Sequence, residues 1–174
     1  MPSSRSRSLD DHSALMRLGM KLFLLPEYHH LRTRALREAR IGPRDRILDF
    51  GCGVGLLEGF LVKKISAGGT VIGADIGENL LRRAQGAFPQ PNVAFCRIDP
   101  AGRLPFQSGR FDLIITNLVC HLLDRAQKQA VFAEFHRILK PGGKAVMAEI
   151  GPPGTWLGKW QELLSDHLWT KLWP

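Results

Sequence analysis

A chain of 174 residues, 44% of them hydrophobic, is long enough for one domain to bury a substantial core without disulfides. Its three cysteines, Cys52, Cys96 and Cys120, have no framework spacing, which fits a reducing, cytoplasmic setting; no run of about 18 apolar residues offers a membrane span, and no signal peptide is expected from Leu22-Phe-Leu-Leu25. The net charge of +8 is concentrated early, with ten Arg and Lys against five Asp and Glu in residues 1–46; that surplus suits an anionic membrane surface or an acidic substrate, and the lack of interleaved aromatic and basic residues disfavours nucleic acid.

Residues 1–8 are polar, and disorder is expected there. Asp10 or Asp11 caps a first helix in which Leu15, Leu18, Leu22 and Leu25 recur at helical spacing until Pro26. Such a basic amphipathic helix packs on its own domain or lies on a lipid surface. A second helix is predicted over Pro26–Arg40, with Leu31, Ala35, Leu36 and Ala39 on one face and Gly42-Pro43 as its stop. Tyr28, His29 and His30 stand near its start. Adjacent histidines on a helix point about 100° apart and make no metal site by themselves.

The chain is organised around Arg46–Glu58. Ile47, Leu48 and Phe50 suit a strand buried on both faces, and Gly51, Gly53 and Gly55 let the backbone turn sharply and approach a ligand before a helix begins. That is the doubly wound α/β arrangement, and it marks a nucleotide-type cofactor site. A dinucleotide fingerprint needs a third glycine where this chain has Leu56, and Asp49, two residues before the first glycine, would repel a pyrophosphate but suits a ligand carrying an ammonium group. The run Asp49-Phe-Gly-Cys-Gly-Val-Gly55 resembles the first motif of the class I S-adenosylmethionine-dependent methyltransferases. The resemblance implies a Rossmann-like fold of strand order 3-2-1-4-5, with Asp49 facing the ligand and, together with Cys52 and the three glycines, holding the methionine end of the cofactor.

Leu56, Leu57, Phe60, Leu61 and Ile65 then predict the inward stripe of a helix that Gly68-Gly69 stops. Thr70–Asp75 reads as the second strand, and Asp75 stands at the strand end where open α/β sheets bind ligands, at the distance along the chain expected of a ribose-binding carboxylate. A helix-capping role is the alternative for the same residue. Ala74–Leu81 resembles the family's second motif, which implies that Ile76 packs on the adenine. A short helix over Gly77–Gly86 follows, with Leu80, Leu81 and Ala84 inward.

The third strand is expected at Val93–Ile98. Ile98–Phe106 resembles the family's third motif, which implies that Asp99 accepts a hydrogen bond from the adenine amino group. Pro100 departs from the pattern, because the family commonly uses the backbone N–H of that residue toward the adenine ring and proline has none; unless Ala101 or a water substitutes, one adenine hydrogen bond is missing. Phe111–Thr116 reads as the fourth strand. Asn117 and the loop after it are implied to flank the methyl donor, and His121 is the neutral-pH base in that loop, suited to take a proton from a hydroxyl or amine nucleophile or, alternatively, to pack locally. Asp124 and Gln127 have the spacing of a capping box for a helix carried by Ala126, Ala130, Ala133 and Ile138 as far as Lys140, where Pro141-Gly142-Gly143 breaks it; Lys144–Ile150 is the fifth strand.

All four tryptophans fall in the tail after Gly151. Trp156, Trp160, Leu163, Leu164 and Leu168 suit an amphipathic final helix that covers the sheet, receives an apolar acceptor or meets a partner. The organisation expected is a basic helical cap over 1–45, a cofactor-binding core over 46–150 and a Trp-rich helix over 151–174. Class I relatives normally add two further strands, so the domain is expected to be shortened at its C-terminus.

Cofactor and acceptor follow from the resemblance: S-adenosylmethionine, yielding S-adenosylhomocysteine, and a small molecule of the quinone-like or lipid-like kind, as in the ubiquinone/menaquinone-biosynthesis branch. The competing expectation is a non-catalytic cofactor-binding or scaffold subunit, suggested by Pro100 and the shortened end. The basic N-terminus and the Trp-rich tail are candidate peripheral membrane contacts, and the fifth-strand edge or the tail a candidate homodimer contact. No resident metal is expected; the cysteine spacing gives no support to arsenical chemistry.

Overall fold

The computed structural model describes residues 25–149. The first amphipathic helix and the Trp-rich tail expected from the sequence lie outside the described residues. Within them the chain runs α1 (Leu25–Ala39), β1 (Arg46–Phe50), α2 (Glu58–Leu61), β2 (Thr70–Asp75), α3 (Glu78–Ala87), β3 (Val93–Arg97), β4 (Phe111–Asn117), a 3-10 turn (Cys120–Leu122), α4 (Arg125–Ile138) and β5 (Leu139–Ala148). The five strands form one sheet in the order β3-β2-β1-β4-β5, with every neighbouring pair parallel. This is the doubly wound order expected from the motifs, with the topological switch point between β1 and β4.

The period of two along β1 divides the core between the two faces of the sheet. Leu48 and Phe50 face a cluster completed by Ala74, Ile114, Val131, Phe135 and Ile138, which brings α4 down on that side. Ile47 faces the other way, with Val71, Leu113 and Ile115, against Ala35 and Ala39 of α1 and Leu57 and Leu61 of the α2 region. Continuous apolar runs in β1 and β4 therefore report a sheet covered on both sides. Asp49 has the parity of Ile47, and so points to the α1/α2 face.

The helix ends obey local chemistry. Arg40 turns into the left-handed region (φ 45) and ends α1. Asp124 Oδ1 accepts the Gln127 N–H at 2.8 Å while Gln127 Oε1 accepts the Asp124 N–H at 3.0 Å, the reciprocal capping box that the spacing predicts.

Two expectations need correction. The helix after the glycine turn is a single turn, and Leu56 and Phe60 are 48% and 38% exposed rather than inward. Leu57, Glu58 and Leu61 take the buried side, and the Phe60 ring carries the Arg32 guanidinium 4.2 Å from its centroid. In α4, a helix as expected, the buried face is Val131, Phe135 and Ile138. The strand pairing of β5 also begins earlier than expected, at Leu139, with a register irregularity opposite Phe111–Leu113 absorbing Pro141-Gly142-Gly143.

Candidate functional site

The glycine turn after β1 sits at the carboxyl edge of the sheet beside the switch point. Gly51 (φ 80) and Gly53 (φ 57) adopt backbone that side chains disfavour, for different reasons. A Cβ at Gly51 would lie 2.2 Å from Val119 Cγ2, so the loop after β4 closes onto this turn only because no side chain intervenes. A Cβ at Gly53 would meet nothing within 4 Å; here the bare backbone faces open space. The Gly51 and Cys52 N–H groups both donate to Ala74 O, at 2.7 and 3.1 Å, tying the turn to the end of β2.

Asp75 joins the turn to the next helix. Its Oδ2 accepts the Gly53 N–H and its Oδ1 the Gly77 N–H, each at 2.8 Å. Each oxygen keeps a further lone pair, so a carboxylate already fixed by backbone donors can still accept hydroxyl groups. The side chain therefore organises the start of α3 and remains half-buried at the place expected for a ribose-binding acid. Ile76, next to it, is 55% exposed, an apolar side chain left open at the strand edge.

Asp99 is exposed at the end of β3, and its Oδ1 accepts the Ala101 N–H at 2.9 Å. The first backbone donor beyond Pro100 is thus engaged within its own loop. Asn117 closes β4 with both amide atoms buried and without a hydrogen-bond partner among the described residues. Such orphaned groups cost free energy unless something else satisfies them. Leu118 follows in the left-handed region (φ 58), turning the chain from β4 into the loop that carries Val119 and His121; a non-glycine residue in that conformation stores roughly 1 kcal/mol or more.

Beneath the turn Asp49, expected to face the ligand, is instead buried and paired with Glu58, an acid that motif reading did not single out. Asp49 is 2% and Glu58 0% exposed. Asp49 pairs in register with Gly73 on β2, and a Cβ on Gly73 would be 2.5 Å from Glu58 Oε1, so the glycine in β2 makes the room that Glu58 occupies. Neither Glu58 oxygen meets a hydrogen-bond donor among the described residues. The pair is satisfied only when it holds a proton between its members. Burial first, and then the charge of Glu58, raises the Asp49 carboxyl; burial raises that of Glu58 to about 7. The available signal was an acid between Leu57 and Leu61 on an otherwise apolar side of a turn.

His121 stands in the 3-10 turn, and its ring is fastened by another residue without a motif. His121 Nδ1 lies 3.0 Å from Glu149 Oε2, with 38% of the His121 side chain exposed. The same carboxylate accepts the N–H groups of Val119, Cys120 and His121 at 3.0, 2.8 and 3.3 Å. Burial pushes the Glu149 carboxyl up, but the His121 hydrogen bond and these backbone donors together hold it down at about 2. The cysteines are kept as thiols: burial and then the Asp49 charge push Cys52 far up, and burial with the Glu149 charge raises Cys120 to about 11.

The pattern of a methyltransferase domain matches residues 47–143. The chain is 34% identical over 122 residues to an uncharacterised methyltransferase of Synechocystis, covering 70% of this chain and 55% of that protein. It is 33% identical over 133 residues to a demethylmenaquinone methyltransferase of Lactiplantibacillus plantarum, covering 74% and 55%. Among solved structures, an S-adenosylmethionine-dependent methyltransferase from Mesorhizobium loti superposes with a TM-score of 0.61 at 28% identity, over 70% of this chain and 55% of that one. The chain spans about half the length of the curated relatives it matches.

Proposed function

Because this chain belongs to the class I S-adenosylmethionine-dependent methyltransferases, we propose that it binds S-adenosylmethionine at the glycine turn and methylates a small-molecule acceptor of the quinone-like or lipid-like kind. The observation that carries this reading is Asp75, which holds the Gly53 and Gly77 amides beside the open space over Gly53. The residues present fit the cofactor: orphaned amide atoms at Asn117, bare backbone at Gly53, an exposed Ile76, and carboxylates at the ends of β2 and β3 around a ligand that carries positive charge. Asp75 would accept the ribose hydroxyls, Ile76 and Asp99 would meet the adenine, and Asn117 with Gly51, Cys52, Gly53 and Gly55 would hold the methionine end. Asp49 acts from below the turn through its charge and its proton rather than by direct contact. S-adenosylmethionine, when bound, supplies an activated methyl group, so the protein's part is position, dryness and proton control.

The acceptor class is supported by relatives. Besides the demethylmenaquinone enzyme, the chain is 30% identical over 133 residues to a 2-phytyl-1,4-naphtoquinone methyltransferase of Nostoc, covering 74% of this chain and 57% of that protein. Leu122, 60% exposed beside His121, offers an apolar surface for such a ring or chain. His121 takes the proton of a hydroxyl nucleophile.

Calorimetric titration of the purified chain with S-adenosylhomocysteine, with NAD as control, tests the cofactor. Micromolar binding that Asp75→Ala removes, and no NAD signal, is the expected result; a folded protein that binds neither ligand overturns the reading. Turnover is then tested with labelled methyl donor and a panel of hydroquinones and phenols. Binding without turnover across the panel would assign a non-catalytic binding module, the reading that Pro100 and the engaged Ala101 N–H favour.

A further inference from the structure

Glu149, just beyond β5, accepts three backbone N–H groups of the loop that follows β4 and lies 3.0 Å from His121 Nδ1. We propose that Glu149 is a positioning residue which makes His121 a one-sided base, with its proton committed to Nδ1 and its lone pair at Nε2, and that the acceptor is accordingly one whose nucleophile must shed an O–H proton: a phenol or an enol. The proposal rests on the methyl-transfer reading for its acceptor, but its structural half stands on the hydrogen bonds alone.

An ionised carboxylate only accepts hydrogen bonds. With its carboxyl held at about 2, Glu149 has no proton to give at neutral pH, so the 3.0 Å contact is a donation from His121 Nδ1–H. A neutral imidazole carries one N–H, and a partner at one nitrogen decides the state of the other. Nε2 is left as an acceptor on a ring that is partly exposed. The three backbone donors do a second thing. They wrap consecutive amides of residues 119–121 around one carboxylate, fixing the short segment that also sets Val119 against Gly51. The base and the glycine turn are thereby held in one rigid register across the switch point, as a site needs for positioning.

The proton inventory then selects the acceptor. A neutral amine attacks with a lone pair it already has, and gains little from a base before bond formation. A phenol or enol gains much: its O–H bond breaks, the electron pair stays on the oxygen and is shared with the adjacent ring or alkene carbon, and a new N–H bond forms at His121 Nε2. The resulting imidazolium is stabilised by Glu149, which stays ionised, and later returns the proton to water. Oxygen methylation is complete with this one deprotonation, whereas methylation at carbon must afterwards shed the C–H proton of the attacked carbon to restore the ring or alkene. The exposed Leu122 next in the chain suits the apolar body of such a molecule.

The test is imidazole nitrogen NMR on the full-length, nitrogen-15-labelled chain at a pH where His121 is neutral, with His121→Gln to assign its signals. The wild type is expected to show His121 protonated at Nδ1 and unprotonated at Nε2. In Glu149→Gln, which keeps the shape and an accepting oxygen for the backbone donors, a mixture of tautomers is expected, and in Glu149→Ala the Nε2–H form. A wild type protonated at Nε2, or a tautomer unchanged in a folded Glu149→Ala, overturns the positioning role. S-adenosylhomocysteine titration of the same samples separates this from the cofactor reading: loss of binding in the wild type with the Nδ1–H tautomer intact would sink methyl transfer and spare the dyad. For acceptors, the labelled-methyl assay is run with a phenol and a matched aniline. Glu149→Gln is expected to lower kcat for the phenol at least tenfold more than kcat for the aniline; equal losses on both overturn the O–H assignment.

Discussion

Glu58 lies against Asp49 with neither carboxyl open to water, so a buried acid pair underlies the glycine turn. A group whose carboxyl is raised in the folded state is stabilised when protonated. For Glu58, stability is fully present below the ordinary value of 4.5 and declines as the pH rises toward about 7. Glu58→Gln supplies a permanent N–H donor to Asp49 at the same volume. The variant should be more stable than wild type at pH 8 by on the order of 2 kcal/mol, with the two converging near pH 4.5. Urea unfolding at the two pH values reads this out, and a constant difference between the proteins at both would show that the pair holds no extra proton.

The two glycines of the turn should fail differently. Gly51→Ala places a Cβ 2.2 Å from Val119 Cγ2 in a left-handed backbone, and the combined clash and strain should cost about 3 kcal/mol of stability. Gly53→Ala meets no atom within 4 Å, so only the backbone term of about 1 kcal/mol applies. Its methyl group would enter the space assigned to the ligand, however, and S-adenosylhomocysteine affinity should fall at least tenfold. Comparable affinity in Gly53→Ala and wild type would mean that the ligand does not approach that backbone.

Much of this arrangement is legible in the chain because it is local. Strand β2 was delimited at Thr70 and Asp75 by turn chemistry on both sides, and the capping box at Asp124 by a three-residue spacing. The strand order came from the ordered set of motifs, which no single period could supply. What escaped was decided across the sheet. Leu56 and Phe60 satisfy a helical stripe, but α2 is one turn long and Glu58 claims the inward place because Gly73 on the neighbouring strand leaves it room. Glu149 falls in the range of the fifth strand and belongs to no motif; its partners are 28 to 30 residues away in sequence, and parallel pairing of β4 with β5 is what brings them together.

The segment leading from β3 to β4 is held by an ion pair on α4. Arg137 donates to Glu134 and also to the carbonyl oxygens of Leu104 and Phe106, at 3.1 and 2.8 Å, while Glu134 Oε2 accepts the Leu104 N–H at 2.8 Å. Arg137→Met keeps the aliphatic stem but leaves two carbonyls and a carboxylate short of donors, which should cost about 2 kcal/mol. Because Leu104 also belongs to the core cluster, amide exchange of residues 104–106 should rise in the variant ahead of global unfolding. Unchanged protection there would assign the segment's order to Leu104 packing alone.

Glu149 should reveal itself at the acid end of the stability profile, in a window that Glu58 does not share. Its carboxyl is held at about 2 in the folded chain against an ordinary 4.5, so the stability it contributes is fully present above 4.5 and is lost as the pH falls toward 2. Its side chain is 23% exposed, and solvent screening reduces the contribution to on the order of 2 kcal/mol. Glu149→Gln should therefore be less stable than wild type by about that amount at pH 7, while the difference narrows through pH 4 and 3. Asp112 and Glu134, whose carboxyls are also lowered, remain in both proteins and cancel in the comparison. A difference that stays constant from pH 7 to pH 3 would mean that Glu149 stabilises the loop by shape rather than by charge, and the ionised acceptor required at His121 Nδ1 would be gone with it.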